Sequence, residues 1–212
     1  MKSTVLLTAA SSIIITIAVA SSFGPLIGVD HAVAVALHGY ALDHPAFVVV
    51  MQVWTDVFDP WTFRGILVIV AAWLSWRRRF ALAGWVVVTM ALAGAAEGGL
   101  KVLVDRTRPL WDHPVSHATG GSFPSGHSLT SAMGCAVLLA LAWPSLGRRA
   151  RVVCAVAAVS VPAITGFTRL GLGVHYLSDV VGGWLIAVTL AAVTTLTLSR
   201  WQGFPPSARP AS

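Results

Sequence analysis

From Val180 to Leu198 the chain carries no charged residue, and the same holds from Phe80 to Ala96, Leu129 to Trp143 and Val152 to Phe167. Runs of this length approach the roughly 20 apolar residues that a bilayer crossing needs. Hydrocarbon offers no partner for backbone N–H and C=O groups, so segments of this kind must satisfy them internally, as helices. Two further apolar runs, Val5 to Ala20 and Thr62 to Trp76, extend the pattern. With 56% hydrophobic and only 10% charged residues among 212, the chain is too apolar for a soluble domain of its size. The fold class expected is an all-α polytopic membrane bundle.

The few charges then become informative by position. A net charge of +6 could suggest nucleic acid, but the arginines sit beside apolar runs instead of forming a basic face, so no nucleic-acid partner is expected. Arg77-Arg78-Arg79 separates two runs, Arg148, Arg149 and Arg151 separate two more, and Arg200 follows the last. Under the positive-inside rule these turns face the cytoplasm. About six spans result, with the loop from Gly98 to Ser128 and the turn from Gly166 to Ser178 on the outer face. Trp73, Trp76, Trp85, Trp143 and Trp201 fall near the predicted inner ends, and Trp54, Trp61 and Trp111 near the outer ones, as an aromatic belt requires.

The first run has two readings. Lys2 before it and Ala18-Val19-Ala20 at its end, before Ser21, resemble a cleavable secretory signal, but the positive flank is a single lysine and hydroxyl residues interrupt the apolar core, which favours a retained span. Between Gly28 and Trp61 the chain mixes acids and histidines with apolar residues, and no span is expected there. Val29 to Leu42 and Pro45 to Val57 instead read as interfacial helices on the outer face. Their histidines match no metal-ligand spacing. Cys135 and Cys154 fall inside apolar runs and are read as free thiols. Residues 1–201 form one domain, and the proline-rich tail 202–212 is expected to be disordered and cytoplasmic.

Three polar clusters stand out. In TRLGLGVHYLSD, His175 and Asp179 are four residues apart, so on a helix they share a face and the carboxylate can accept a hydrogen bond from one ring nitrogen. The other nitrogen is left free and more nucleophilic, and Arg169 adds a donor fork suited to oxyanions. In KVLVDRTRP, Lys101, Arg106 and Arg108 lie on the side where the positive-inside rule disfavours them. Such a group binds a phosphate or anchors headgroups, and Glu97, four residues before Lys101, pairs with it either to neutralise it or to orient it. In Pro124-Ser125-Gly126-His127, a serine and a glycine at a helix start offer a hydroxyl and unpaired N–H groups to an anion, with His127 placed to give a proton to a departing oxygen.

Together these clusters resemble the three signature motifs of the type 2 phosphatidic acid phosphatase family, membrane phosphatases related to vanadium haloperoxidases. Lys101, Arg108 and Pro109 match the first motif, Pro124 to His127 the second, and Arg169, His175 and Asp179 the third, where Thr168 stands in place of the usual serine and keeps its hydroxyl. Arg106 stands where the family often has the first arginine of Arg-Pro-Arg-Pro. The resemblance implies that His175 takes the phosphoryl group, that Asp179 orients it, and that His127 protonates the leaving oxygen and then activates water. It implies that Lys101, Arg106, Arg108, Ser125, Gly126 and Arg169 hold the phosphate oxygens, with Glu97, Pro109 and Thr168 in support.

No cofactor or metal is expected, since fixed cations occupy the place a metal would take. The expected activity is hydrolysis of a lipid phosphomonoester or pyrophosphate, of phosphatidate, phosphatidylglycerol phosphate or polyprenyl diphosphate type, at the extracytoplasmic face of a bacterial inner membrane. A phosphotransferase, a haloperoxidase and a non-catalytic lipid-binding protein are the competing readings.

Overall fold

The computed structural model describes residues 2–201, and among these the chain is helical with no strand. The order is α1 (Lys2–Ala20), α2 (Gly24–Asp43), α3 (Pro45–Val57), α4 (Pro60–Trp76), α5 (Phe80–Val104), α6 (Gly126–Ala142), a 3-10 turn (Trp143–Ser145), α7 (Arg148–Gly171) and α8 (Leu177–Trp201). The tail expected to be disordered lies outside the described residues.

Local sequence explains where the helices start and stop. Asp59 caps α4 by accepting from the Trp61 N–H at 2.6 Å, and Pro60 at the first position has no N–H to leave unpaired. Ser125 caps α6 by accepting from the Ser128 N–H at 3.4 Å. Asp105 ends α5 in the left-handed region at φ 43°, a conformation that short polar side chains tolerate better than most. The Arg77–Arg79 turn and the start of α7 at Arg148 lie at one end of the bundle. The starts of α4, α6 and α8 and the ends of α5 and α7 lie at the other.

Helix α6 is the centre of the bundle and packs against α4, α5, α7 and α8. Its Leu129, Met133 and Val137 are buried with Leu67 and Leu74 of α4, Val86 and Ala93 of α5, and Ala187 of α8. Lipid tails are as apolar as these side chains, so close packing holds the helices together more than exclusion of water does. Gly183 shows how close: a Cβ there would sit 2.9 Å from the Ser125 carbonyl oxygen and 3.1 Å from the Leu129 nitrogen. The missing side chain lets the first turns of α6 and α8 touch, which brings two of the three sequence clusters together.

Six helical segments are long and apolar enough to cross a membrane: Gly24–Asp43, Pro45–Trp76, Phe80–Val104, Gly126–Ser145, Arg148–Gly171 and Leu177–Leu198. Two assignments depart from the sequence reading. Gly24–Asp43 meets the length and composition of a span, where none was expected, and the apolar stretch Val5–Ala20 is shorter than the rest. The contacts of these two helices explain both. In α2, Asp30 bonds Ser178 and Arg106, and His38 stacks on Trp111 at 4.0 Å. These positions are eight residues apart, about 12 Å along a helix, yet both touch the loops at one end of the bundle. Helix α2 therefore lies across that end, while α1 packs along α8, with Ser12 Oγ 3.2 Å from Thr189 Oγ1.

Trp73 and Trp76 are exposed near the Arg77–Arg79 turn and Trp61 near the other end, but Trp85 is buried and donates to Thr194 Oγ1 at 3.2 Å.

Candidate active site

A polar cavity of about 350 Å³ opens where the starts of α4 and α6 meet the ends of α5 and α7. Both histidines of the sequence clusters line it, His175 from the α7–α8 turn and His127 from the first turn of α6, with Lys101, Arg108, Arg169, Glu97 and Gly126 around them. A larger cleft of about 790 Å³ between α5 and α8 is apolar apart from Thr194 and Thr197 and holds no titratable group. Chemistry is confined to the smaller, polar one.

His175 is 3% exposed, and its ring is held from both sides. Nδ1 faces Asp179 Oδ2 at 3.4 Å and Ser122 Oγ at 3.5 Å, while Nε2 lies 2.9 Å from an Arg108 terminal nitrogen. A guanidinium only donates, so Nε2 must carry the lone pair and Nδ1 the proton. Burial holds the imidazole neutral, lowering its pKa to about 4, with the Asp179 hydrogen bond opposing the shift in part and the Arg108 charge adding to it. A neutral ring with its lone pair turned to the cavity is the form that can attack phosphorus.

Asp179 is fully buried, and both of its carboxylate oxygens accept hydrogen bonds. Oδ1 accepts from Arg106 at 2.7 Å, and Oδ2 accepts from Ser122 Oγ at 2.5 Å and the Tyr176 N–H at 2.8 Å. Its backbone carbonyl accepts from the Ser125 N–H at 3.0 Å. The same residue thus orients His175 and fixes the start of α6, from which His127 projects.

The cations divide into three situations. Arg108 uses all five of its N–H groups: Nε donates to the Gly120 carbonyl at 3.0 Å, one terminal nitrogen to the Val174 carbonyl at 2.8 Å and to His175 Nε2, and the other to the Thr119 and Gly121 carbonyls at 3.0 and 3.2 Å. It pins the 119–121 loop over the cavity, and burial lowers its pKa, with the Asp179 charge opposing. Arg169 is 6% exposed, donates to Thr55 Oγ1 at 3.0 Å and leaves its buried Nε with no partner. A buried, unsatisfied guanidinium N–H on a cavity wall is a donor waiting for an anion. Lys101 donates to Glu97 Oε1 at 2.7 Å, as the four-residue spacing predicts.

Other residues are placed differently from the sequence reading. Arg106 does not line the cavity; it lies behind His175, bonded to Asp30, Ser178 and Asp179, so it braces the site and makes no phosphate contact in this arrangement. Ser125 is fully buried, its hydroxyl occupied by the Ser128 N–H and hydroxyl. Thr168 bonds back to the Thr165 carbonyl at 2.7 Å within its own helix, and Pro109 follows Arg108 in the irregular segment after α5. Gly126 lines the cavity in direct contact with Glu97, and a Cβ there would have to displace the Glu97 carboxylate.

Four side chains bonded to the site residues or close to them escaped the sequence reading. Arg64 of α4 donates to Glu97 Oε2 at 3.1 Å, giving that carboxylate a second cation, and an arginine inside an apolar run was a visible signal. Asp59 Oδ2 lies 3.8 Å from His127 Nε2, and the Asp-Pro cap was its trace in the sequence. Ser122 and Asp30 reach the site only through tertiary folding. Among the described residues, no three His, Cys, Asp or Glu side chains are grouped to hold a metal ion.

Comparison with known proteins is consistent with this geometry. Residues 82–202 match the family model of the PAP2 superfamily. Phosphatidylglycerophosphatase B of Bacillus subtilis (strain 168) is 35% identical over 94 residues, covering 43% of this chain and 45% of the relative. Lipid A 1-phosphatase of Rhizobium etli is 31% identical over 139 residues, covering 61% of this chain and 54% of the relative. Phosphatidylglycerophosphatase B of Escherichia coli K12 is 37% identical over 85 residues, 40% of this chain and 32% of the relative. The chain thus spans about half the length of the first curated relatives it matches. A crystal structure of a transmembrane PAP2-type phosphatidylglycerolphosphate phosphatase from Bacillus subtilis superposes with a TM-score of 0.79 at 22% identity, covering 92% of this chain and 98% of that one, a likeness of fold.

Proposed function

The chain belongs to the PAP2 superfamily, and from that premise we propose that it is an integral membrane lipid phosphatase working through a phosphohistidine. The observation that carries the reading is that two imidazoles share one small cavity with Lys101, Arg108 and Arg169. The substrate is a lipid phosphomonoester or pyrophosphate; the names of the relatives point to phosphatidylglycerol phosphate or a lipid A phosphate, and phosphatidate and polyprenyl diphosphate present the same group.

His175 Nε2 attacks phosphorus, forming the N–P bond as the bond to the leaving oxygen breaks. His127 gives that oxygen its proton. Charge growing on the imidazole is offset by Asp179, and charge on the equatorial oxygens by Arg169, Arg108, Lys101 and the Gly126 N–H, donors fixed before the reaction begins. Arg108 is already seated on Nε2, so arriving phosphate exchanges its own oxygen for the ring nitrogen as acceptor. In the second step His127 removes a proton from water, the water oxygen attacks phosphorus, and the N–P bond breaks to release phosphate and restore neutral His175.

The cavity faces the extracytoplasmic side in this reading, because Arg77–Arg79, Arg148, Arg149 and Arg151 lie at the other end of the bundle and the cations near the cavity are engaged within it. Lipid tails stay in the bilayer while the phosphate enters at headgroup level.

The test is phosphate release from a panel of lipid phosphates by purified protein, wild type against His175→Ala and His127→Ala. Loss of turnover in both, with a base-stable, acid-labile phosphoenzyme trapped only when His175 is present, is the expected outcome. Undiminished turnover in His175→Ala excludes the mechanism. Single cysteines near Trp111 and Arg78 report orientation by their labelling from outside, and labelling at Arg78 with protection at Trp111 reverses it.

A further inference from the structure

Asp30 belongs to α2, outside the residues that match the family model and outside all three sequence clusters. Its side chain is nonetheless fully buried at the back of the cavity. Oδ1 accepts from the Ser178 N–H at 2.8 Å, and Oδ2 accepts from Ser178 Oγ at 2.5 Å and from Arg106 at 2.7 Å. Arg106 turns its other terminal nitrogen to Asp179 Oδ1, also at 2.7 Å, and lies over the Tyr176 ring at 4.2 Å. One guanidinium is therefore shared between two carboxylates, only one of which faces His175.

We propose that Asp30 is a positioning residue for the reaction, acting through Arg106 to set how much negative charge Asp179 presents to His175. This rests on the reading of His175 as nucleophile. Had Arg106 only Asp179 to neutralise, its full charge would fall on that carboxylate, and Asp179 would draw the His175 Nδ1 proton less strongly. Asp30 takes up part of that charge and leaves Asp179 the better hydrogen-bond acceptor. A second duty is mechanical: by accepting from the Ser178 N–H in the first turn of α8, Asp30 caps that helix from another one and fixes Asp179 one residue on. All partners are buried or nearly so, where charge effects are screened least.

The groups facing His175 from each packed element are few. They are Asp179 from α8, Arg169 from α7, His127 from α6, Lys101 and Glu97 from α5, Arg108 from the segment after it, and across the cavity Arg64 of α4 with its cap Asp59. None of these contacts Asp30; the other titratable neighbours are Tyr176, whose ring lies under Arg106, and His31 beside it at a ring separation of 5.4 Å. The direct ion-paired route from Asp30 to the nucleophile therefore runs through Arg106.

The two halves of the relay predict shifts of opposite sign. In Asp30→Asn, a near-isosteric change, the His175 ring pKa and the acid limb of kcat move down by roughly half a unit or more, with kcat reduced about threefold to tenfold. In Arg106→Gln both move up, because a cation beside Asp179 is lost. Ser178→Ala removes a hydroxyl bridge without altering charge and leaves the ring pKa in place.

The measurement is histidine-labelled NMR titration of full-length protein in detergent, the His175 signal assigned from its absence in His175→Gln, with phosphate release profiled against pH alongside. A purely structural role for Asp30 lowers the melting temperature without moving the pKa, and that result overturns the proposal. Should Arg106→Gln fail to fold, Asp30→Asn alone decides. If the wild type hydrolyses no lipid phosphate, the phosphatase reading falls, while the ring titration still reports whether the relay exists.

Discussion

Replacing Arg108 with lysine keeps the charge and removes the geometry, which makes it the sharpest test of how the cavity holds phosphate. The guanidinium makes five donor contacts between 2.8 and 3.2 Å, one to His175 Nε2 and four to carbonyls of Thr119, Gly120, Gly121 and Val174. An ammonium has three protons on one atom and cannot serve acceptors spread around a planar fork. At least two carbonyls lose their partner. They sit near the cavity mouth, where water replaces part of the loss, so the stability cost is about 1–3 kcal/mol.

The catalytic cost is larger. In the proposed mechanism the one N–H now on His175 Nε2 is handed to a phosphate oxygen by a guanidinium anchored through its other four donors; a lysine there is unanchored, and loss of a donor aimed at developing charge lowers kcat by about 10²–10³. Arg108→Ala goes further by removing a cation that disfavours imidazolium, so the His175 pKa rises from about 4 and the acid limb of the rate profile moves up with it. The assay is kcat and KM for phosphate release at several pH values. Arg108→Lys within threefold of wild type at unchanged melting temperature would refute the claim that the fork, and not the charge alone, matters.

Two more outcomes follow from the same geometry. Because the His175 pKa is held near 4 in the fold and near 6.5 when unfolded, the nucleophile stays neutral down to mildly acidic pH, and activity falls on the acid side only as pH approaches 4. Over that range the unfolded chain binds a proton that the folded one refuses, so this group costs the fold up to about 3 kcal/mol as pH drops from 6.5 to 4, measurable as a falling melting temperature. Gly126→Ala places a methyl against the Glu97 carboxylate and displaces the group that Arg64 and Lys101 share. Expected is a drop in kcat/KM of at least tenfold, from misplaced cations and a blocked backbone donor; wild-type kinetics would show that the close approach is not used.

Much of the architecture was legible because bilayers admit so few solutions. Charge-free runs and arginine-marked turns were enough to anticipate an all-helical bundle, and the motif spacings brought His127, His175, Lys101, Arg108 and Arg169 to one cavity. The departures share a cause: periodicity reports which face of a helix is apolar, not what that helix touches. Helix α2 looks like a span by composition, yet its acid and histidine are bound to loops, which only tertiary contacts reveal. Arg106 and Arg108 are two residues apart on an irregular segment, and sequence gave no means of deciding that one would turn to the cavity and the other to Asp30. Ser125 was read as a phosphate contact and Thr168 as a supporting hydroxyl, but each hydroxyl is engaged locally, as serine and threonine near helix ends commonly are.

The bond from the Ser125 N–H to the Asp179 carbonyl has a mechanical meaning for a site embedded in lipid. Membranes vary in thickness, and helices answer by leaning. Were the segments bearing the two histidines free to lean separately, each change of lipid would alter the gap between attacking nitrogen and proton donor. A hydrogen bond to the peptide unit at Asp179 ties their starts together, so in the proposed mechanism the two histidines keep their spacing while the helices below adjust.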